Sequence, residues 1–107
     1  NPVLENDPEL TERAAAALRR TLGEDADETS GLLTVAEDFA HIARRIPIVY
    51  WWVGVTPPDR NAATAPDIHS DLFYVDEDGI VVGLRSLLHV AVDYLATRAP
   101  SSVTKGD

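Results

Sequence analysis

The chain has no cysteine and no methionine, and its basic residues number half its acidic ones. Without cysteine, no disulfide, thiolate metal site or cysteine nucleophile can be built from these residues. With 9 Lys and Arg against 18 Asp and Glu, the formal net charge is -9. Such a surface repels nucleic-acid phosphates rather than neutralising them, and it disfavours an anionic membrane for the same reason. Neither a nucleic-acid nor a membrane partner is therefore expected. Long hydrophobic runs are also missing: the longest, residues 46–55, falls far short of a membrane span. No signal-peptide pattern opens the chain, because Asn1-Pro2 is followed by Glu5, Asp7 and Glu9 rather than by basic residues and an apolar stretch. A cytoplasmic location is expected. There is no internal repeat and no Gly-rich phosphate loop. With no initiating methionine, the chain is expected to be a piece of a longer protein.

What is present is ordinary globular composition. Apolar residues make up 45% and charged residues 25%, which argues against disorder of the whole chain. At 107 residues there is room for one domain with a modest core. Residues 1–100 are expected to form it, with 101–107 as a loose tail.

Two helices announce themselves. Asp7 is placed to cap free N–H groups, Pro8 suits a first helical position, and Glu9 favours the positive end of the helix dipole. Leu10, Ala14, Ala17, Leu18 and Leu22 then form one apolar stripe, with Arg13, Arg19 and Arg20 toward solvent, and Gly23 is the natural stop. The spacing predicts a helix over Pro8–Leu22. Near the other end, Asp76 is a candidate N-cap for a helix over residues 77–98. There Ile80, Leu84, Leu87, Leu88, Ala91 and Leu95 make a stripe expected to face the core, and Pro100 closes it.

Between them, residues 24–30 read as a solvated acidic loop, and Gly31-Leu32-Leu33 as a short strand. A further helix is predicted over residues 36–45, with Phe39, Ile42, Ala43 and Ile46 on its buried face and Pro47 at its end. Thr34-x-x-Glu37 fits a capping box, in which the Thr34 hydroxyl and the Glu37 carboxylate each bond the other's main-chain N–H. Residues 48–54 are a continuous β-branched and aromatic run without alternation, the pattern of a strand covered on both faces. The fold expected from these elements is α/β, and Trp51 and Trp52 are expected in its core.

A long loop over residues 56–66 delivers His69. Neutral imidazole is a common metal ligand, but a site needs about four ligands including any water. Asp67, Asp71 and Asp76 are near His69 in sequence without matching a recognised metal spacing. Ser70 cannot complete a nucleophilic pair with His69, since adjacent side chains diverge. His41 and His89 read as structural or solvated histidines.

Four landmarks in order are similar to a known family: Asn6-Asp7-Pro8, Glu37-Asp38-Phe39, the run ending at Gly54, and His69-Ser70-x-x-Phe73 before the last helix. Together they resemble the C-terminal part of the catalytic domain of the dinuclear-metal amidohydrolases. This is the aminoacylase and carboxypeptidase family, and within it the hippurate-hydrolase and auxin-conjugate-hydrolase type. Two positions depart from that pattern: Ile48 stands where the family has glycine, and Asp71 where it has proline.

The resemblance implies a partial three-layer α/β sandwich and hydrolysis of the amide bond of an N-acyl amino acid or related small amide. It implies a pair of divalent ions, zinc or manganese, with His69 as ligand to one of them. Glu37, Asp38 and Ser70 would border the substrate. The remaining ligands and the general base would lie upstream, so this stretch alone would not turn over. A homodimeric parent is the implied assembly. The competing expectation, from another class, is a small acidic α/β binding or interaction module without catalysis.

Overall fold

The N-terminal helix α1 spans Pro8–Leu22, with the boundaries its caps predict. The Asp7 carboxylate accepts from the Leu10 N–H at 2.9 Å, and the Asp7 carbonyl accepts the Thr11 hydroxyl at 2.7 Å. Gly23 ends the helix at φ 64°, a conformation that costs a residue without Cβ least, and its N–H returns to the Arg19 carbonyl. The computed structural model describes residues 2–26, 31, 33 and 35–97. Two further helices follow: α2 over Ala40–Ala43 and α3 over Glu77–Thr97. Single 3-10 turns occupy Gly23–Asp25 and Ala62–Thr64.

α1 packs on α3. Ala14 and Ala17, one turn apart, are the buried residues of α1, and small side chains at that spacing let the helices approach closely. Two arginines expected in solvent bind α3 instead. The Arg13 guanidinium lies 4.7 Å from the centre of the Tyr94 ring and bonds the Thr97 hydroxyl, while Arg20 pairs with Asp93. Their long stems reach across the groove between the helices, so the polar face of α1 becomes part of the helix contact.

The expected α/β sandwich is overturned. Among the described residues there is no strand and no sheet; the regular structure is helical. Residues 47–55 do form a non-helical run, as the β-branched pattern requires, but a strand exists only as a member of a ladder. Here the neighbour is the segment before α1, which offers a side chain and one N–H in place of a strand. Asp7 N–H donates to the Ile48 carbonyl at 2.9 Å, and the Asn6 side chain pairs with the main chain of Tyr50.

α2 is shorter than the predicted 36–45 helix. The Glu37 carboxylate accepts the Phe39 N–H at 3.1 Å, which holds residues 37–39 in a turn ahead of the helix. Thr34 of the expected capping box lies outside the described residues. So do Leu32 of the expected short strand, residues 27–30 of the acidic loop, Arg98, Pro100 and the tail. The buried residue of α2 is Ala40, fully enclosed, whereas Ile42 and Ile46 are exposed.

The largest correction concerns α3. Its predicted core stripe faces outward: Leu84, Leu87, Leu88 and Leu95 are each more than half exposed. The face turned inward is made of small residues, with Gly79 and Ser86 buried. Residues 53–55 lie directly on it. A Cβ on Gly79 would meet the Gly54 carbonyl oxygen at 3.0 Å, and one on Gly83 would meet Val53 at 3.7 Å. The close approach of one backbone to the helix selects the side with least bulk, and the leucines are left on the other. Trp51 reaches the same face, its indole N–H donating to the Ser86 hydroxyl at 3.3 Å, while Trp52 is 50% exposed rather than in the core.

By length and composition alone, α3 is long and apolar enough to cross a membrane. It carries Arg85, His89 and Asp93 along its length.

Candidate functional site

The loop that carries His69 leaves and returns at one point. Asp76 N–H donates to the Val55 carbonyl at 2.7 Å, so the chain between them is tied at its base to the end of the apolar run and the start of α3. The Asp76 carboxylate then accepts the Asp78 N–H at 3.0 Å, the capping role its position predicts. Inside the loop, Asn61 Oδ1 accepts the Ala63 N–H at 2.9 Å, and the Arg60 guanidinium lies 5.7 Å from the centre of the Tyr74 ring.

His69 sits in a turn defined by local bonds. Ser70 N–H donates to the Asp67 carbonyl at 2.8 Å and Phe73 N–H to the Ser70 carbonyl at 3.1 Å. The Ser70 hydroxyl accepts the Leu72 N–H at 3.1 Å, which leaves its proton free to donate outward. The imidazole is 92% exposed, with Nδ1 3.8 Å from the Asp67 carboxylate. A carboxylate accepting from that nitrogen at hydrogen-bond distance would orient the ring and leave the Nε2 lone pair to coordinate a metal or accept a hydrogen bond from a substrate.

Glu37 is placed elsewhere, beside the aromatic residues of the apolar run. Its carboxylate accepts the Phe39 N–H and the Tyr50 hydroxyl, the latter at 3.3 Å. The Phe39 and Tyr50 rings meet at a tilt of 43° with centroids 5.9 Å apart, and Tyr50 meets Trp52 edge-on at 5.5 Å. Burial, followed by the charge and hydrogen bond of Glu37, raises the Tyr50 pKa above its ordinary value of 10.0. Asp38 is exposed, and its carbonyl accepts the His41 N–H at 3.0 Å.

The predicted residues thus fall into two places, and no hydrogen bond or ion pair among the described residues links Glu37 or Asp38 to His69 or Ser70. Nor do three or more His, Asp or Glu side chains among them gather as a metal-binding group. A cavity of about 420 Å³ lies between α1, α3 and the apolar run, lined among others by Asn6, Thr11, Trp51 and Ser86. None of the predicted site residues lines it.

Sequence reading missed Asn6, Tyr50 and Ser86. For Asn6 a signal existed: an amide directly before the capping Asp7 and Pro8 can bond a neighbouring main chain, because Pro8 forces its own flank to stay extended. Tyr50 and Ser86 carry no such signal, since each reads locally as one more strand or helix residue.

Residues 1–93 match the family model described as peptidase family M20/M25/M40. No solved structure matches the chain.

Proposed function

The chain belongs to peptidase family M20/M25/M40, and from that membership we propose that it forms part of a metal-dependent amidohydrolase cleaving an N-acyl amino acid or related small amide. What carries the proposal is the family match, which takes in the whole His69 loop. The hippurate-hydrolase and auxin-conjugate-hydrolase types are the proposed subgroup, on the strength of the His69-Ser70-x-x-Phe73 segment.

Peptidases of this family are generally metal-dependent. Among the described residues, the donor set does not suffice to hold a metal: His69 has one carboxylate nearby, at 3.8 Å, where a site needs about four ligands. His69 is proposed as one imidazole donor of a site completed by residues other than these. Zinc or manganese would suit an imidazole donor.

The roles proposed for this chain's own groups are positional. The tied base at Val55 and Asp76 holds the His69 turn at the end of the apolar run. The Ser70 hydroxyl, which already accepts a main-chain N–H, can donate its proton to a substrate carbonyl or carboxylate. Glu37, with Asp38 beside it, supports a substrate-facing wall through Tyr50 and Phe39. The proposed substrate is a small molecule, and a net charge of -9 argues against a polynucleotide.

The test is His69→Ala in the complete enzyme, read by metal content and by hydrolysis of N-acyl amino acids. Loss of a direct ligand should lower both by more than the ~10- to 100-fold typical of changes behind the ligands. His41→Ala and His89→Ala should leave both unchanged. Full metal occupancy and normal hydrolysis in His69→Ala would end the proposal.

A further inference from the structure

A second groove between α1 and α3 differs in character from the cavity beside the apolar run. Its volume is about 520 Å³, and it is lined among others by Ala17 and Arg20 of α1 and by Arg85, His89 and Asp93 of α3. No described residue of the apolar run or of the His69 loop lines it. Arg20 is already engaged there, crossing from α1 to bond the Asp93 carboxylate through Nη2. Arg85 and His89 lie one turn apart on α3, both exposed. Among the described residues, their side chains have no hydrogen bond or ion pair.

The groove thus gathers two guanidinium groups and an imidazole against one carboxylate. It does so in a chain whose 18 acidic residues outnumber its 9 Lys and Arg two to one. The apolar faces of the chain are surfaces that the rest of a larger protein can cover. This groove is not such a surface, because covering it would bury the Arg85 charge without a partner. It stays in water unless an anion enters it.

The donors indicate which anion. A guanidinium is a planar fork of N–H groups with no acceptor, and Asp93 takes only one nitrogen of the Arg20 fork. Donors from three side chains outnumber the two oxygens of a carboxylate and suit the three terminal oxygens of a phosphate monoester. The volume is that of a small-molecule site rather than of a single ion.

We propose that the α1–α3 groove binds a small phosphate monoester, with Arg85 and His89 donating to its oxygens and Arg20 shared between it and Asp93. The proposal is independent of the role given to His69.

The test titrates glycerol 3-phosphate into the metal-free 107-residue chain and follows amide and side-chain shifts by NMR. Saturable shifts centred on Arg20, Arg85 and His89 are expected. Inorganic phosphate should compete for them, and acetate should bind about tenfold or more weakly. Arg85→Gln should weaken binding by about tenfold or more, and adding His89→Gln should abolish the saturable shifts. Neither side chain has a partner to lose among the described residues, so both variants should keep the original circular dichroism. Arg44→Gln with Arg45→Gln removes twice the charge of Arg85→Gln elsewhere on the surface and should change the affinity by less than about twofold. Absence of saturable shifts, acetate binding as tight as the phosphates, or binding of inorganic phosphate alone would overturn the proposal. So would an equal loss in the Arg44 and Arg45 variant, which would assign the effect to overall charge.

Discussion

The side-chain amide of Asn6 pairs with both main-chain polar groups of Tyr50. Its Nδ2 donates to the Tyr50 carbonyl and its Oδ1 accepts the Tyr50 N–H, each at 2.8 Å. An asparagine amide presents the same donor and acceptor as a peptide unit, so one side chain does the work of a neighbouring strand residue. With Asp7 N–H bonded to the Ile48 carbonyl, it registers the apolar run against the start of α1.

Asn6→Ala removes both bonds and leaves two half-buried main-chain groups without a partner. A loss of about 1–3 kcal/mol in unfolding free energy is expected by urea titration. Asn6→Asp keeps the acceptor for the Tyr50 N–H but sets a carboxylate oxygen against the Tyr50 carbonyl, so it should also destabilise. If both variants unfold at the original urea concentration, the link carries no weight in folding.

The two interior glycines of α3 should respond oppositely to alanine. In a helix interior, Gly→Ala is ordinarily favourable by about 0.5–1 kcal/mol. At Gly83 the new methyl finds Val53 at ordinary contact distance, 3.7 Å, so Gly83→Ala should stabilise. At Gly79 it would meet the Gly54 carbonyl oxygen at 3.0 Å and the Val55 Cα at 3.3 Å, both main-chain atoms, so Gly79→Ala should destabilise. Thermal melts of the pair should move in opposite directions; a shared upward shift would show that 54–55 does not press on α3.

The reversed orientation of α3 makes a second contrast. Leu84→Gln changes a side chain that is 58% exposed and should cost no more than about 0.5 kcal/mol. Ser86 is 1% exposed and accepts the Trp51 indole N–H, so Ser86→Leu forces bulk into the contact and strands that donor. A cost of about 1–3 kcal/mol is expected there. The reverse ranking in urea unfolding would put the leucine face back in the core.

Tyr50 sets a high-pH limit. Its pKa is raised in the folded chain by burial first and by Glu37 second. A group whose folded pKa lies above its unfolded value contributes stability fully present below the unfolded value, here about 10, and lost as pH rises through the folded one. The urea midpoint should therefore fall above pH ~10 in the original chain and fall less in Tyr50→Phe. Equal declines in the two chains would remove Glu37 and burial as the cause.

The first helix was legible because everything that bounds it is local. Asp7, Pro8 and Gly23 act within a turn of themselves, and their bonds are those the residue types predict. The start of α3 at Asp76 was legible for the same reason. The His69 turn is likewise local, closed by Asp67 and Ser70. What surrounds that turn is not, and the separation of His69 from Glu37 had no counterpart in the order of residues.

Sequence by itself determined both ends of α1 and the start of α3, that residues 47–55 would not be helical, and, through residues 1–93, the family to which the chain belongs. Only the tertiary structure decided what that run pairs with and which side of α3 turns inward. Hydrophobic spacing identifies a stripe but not its partner, and a helix with apolar residues on more than one side has more than one stripe to offer. Here the close passage of 53–55 selected Gly79, Gly83 and Ser86, because a main chain can approach a helix only where side chains are small. A sheet, too, is a relation between segments: without a second strand among the described residues, a strand-like run stays single and leaves most of its backbone groups without a main-chain partner among them.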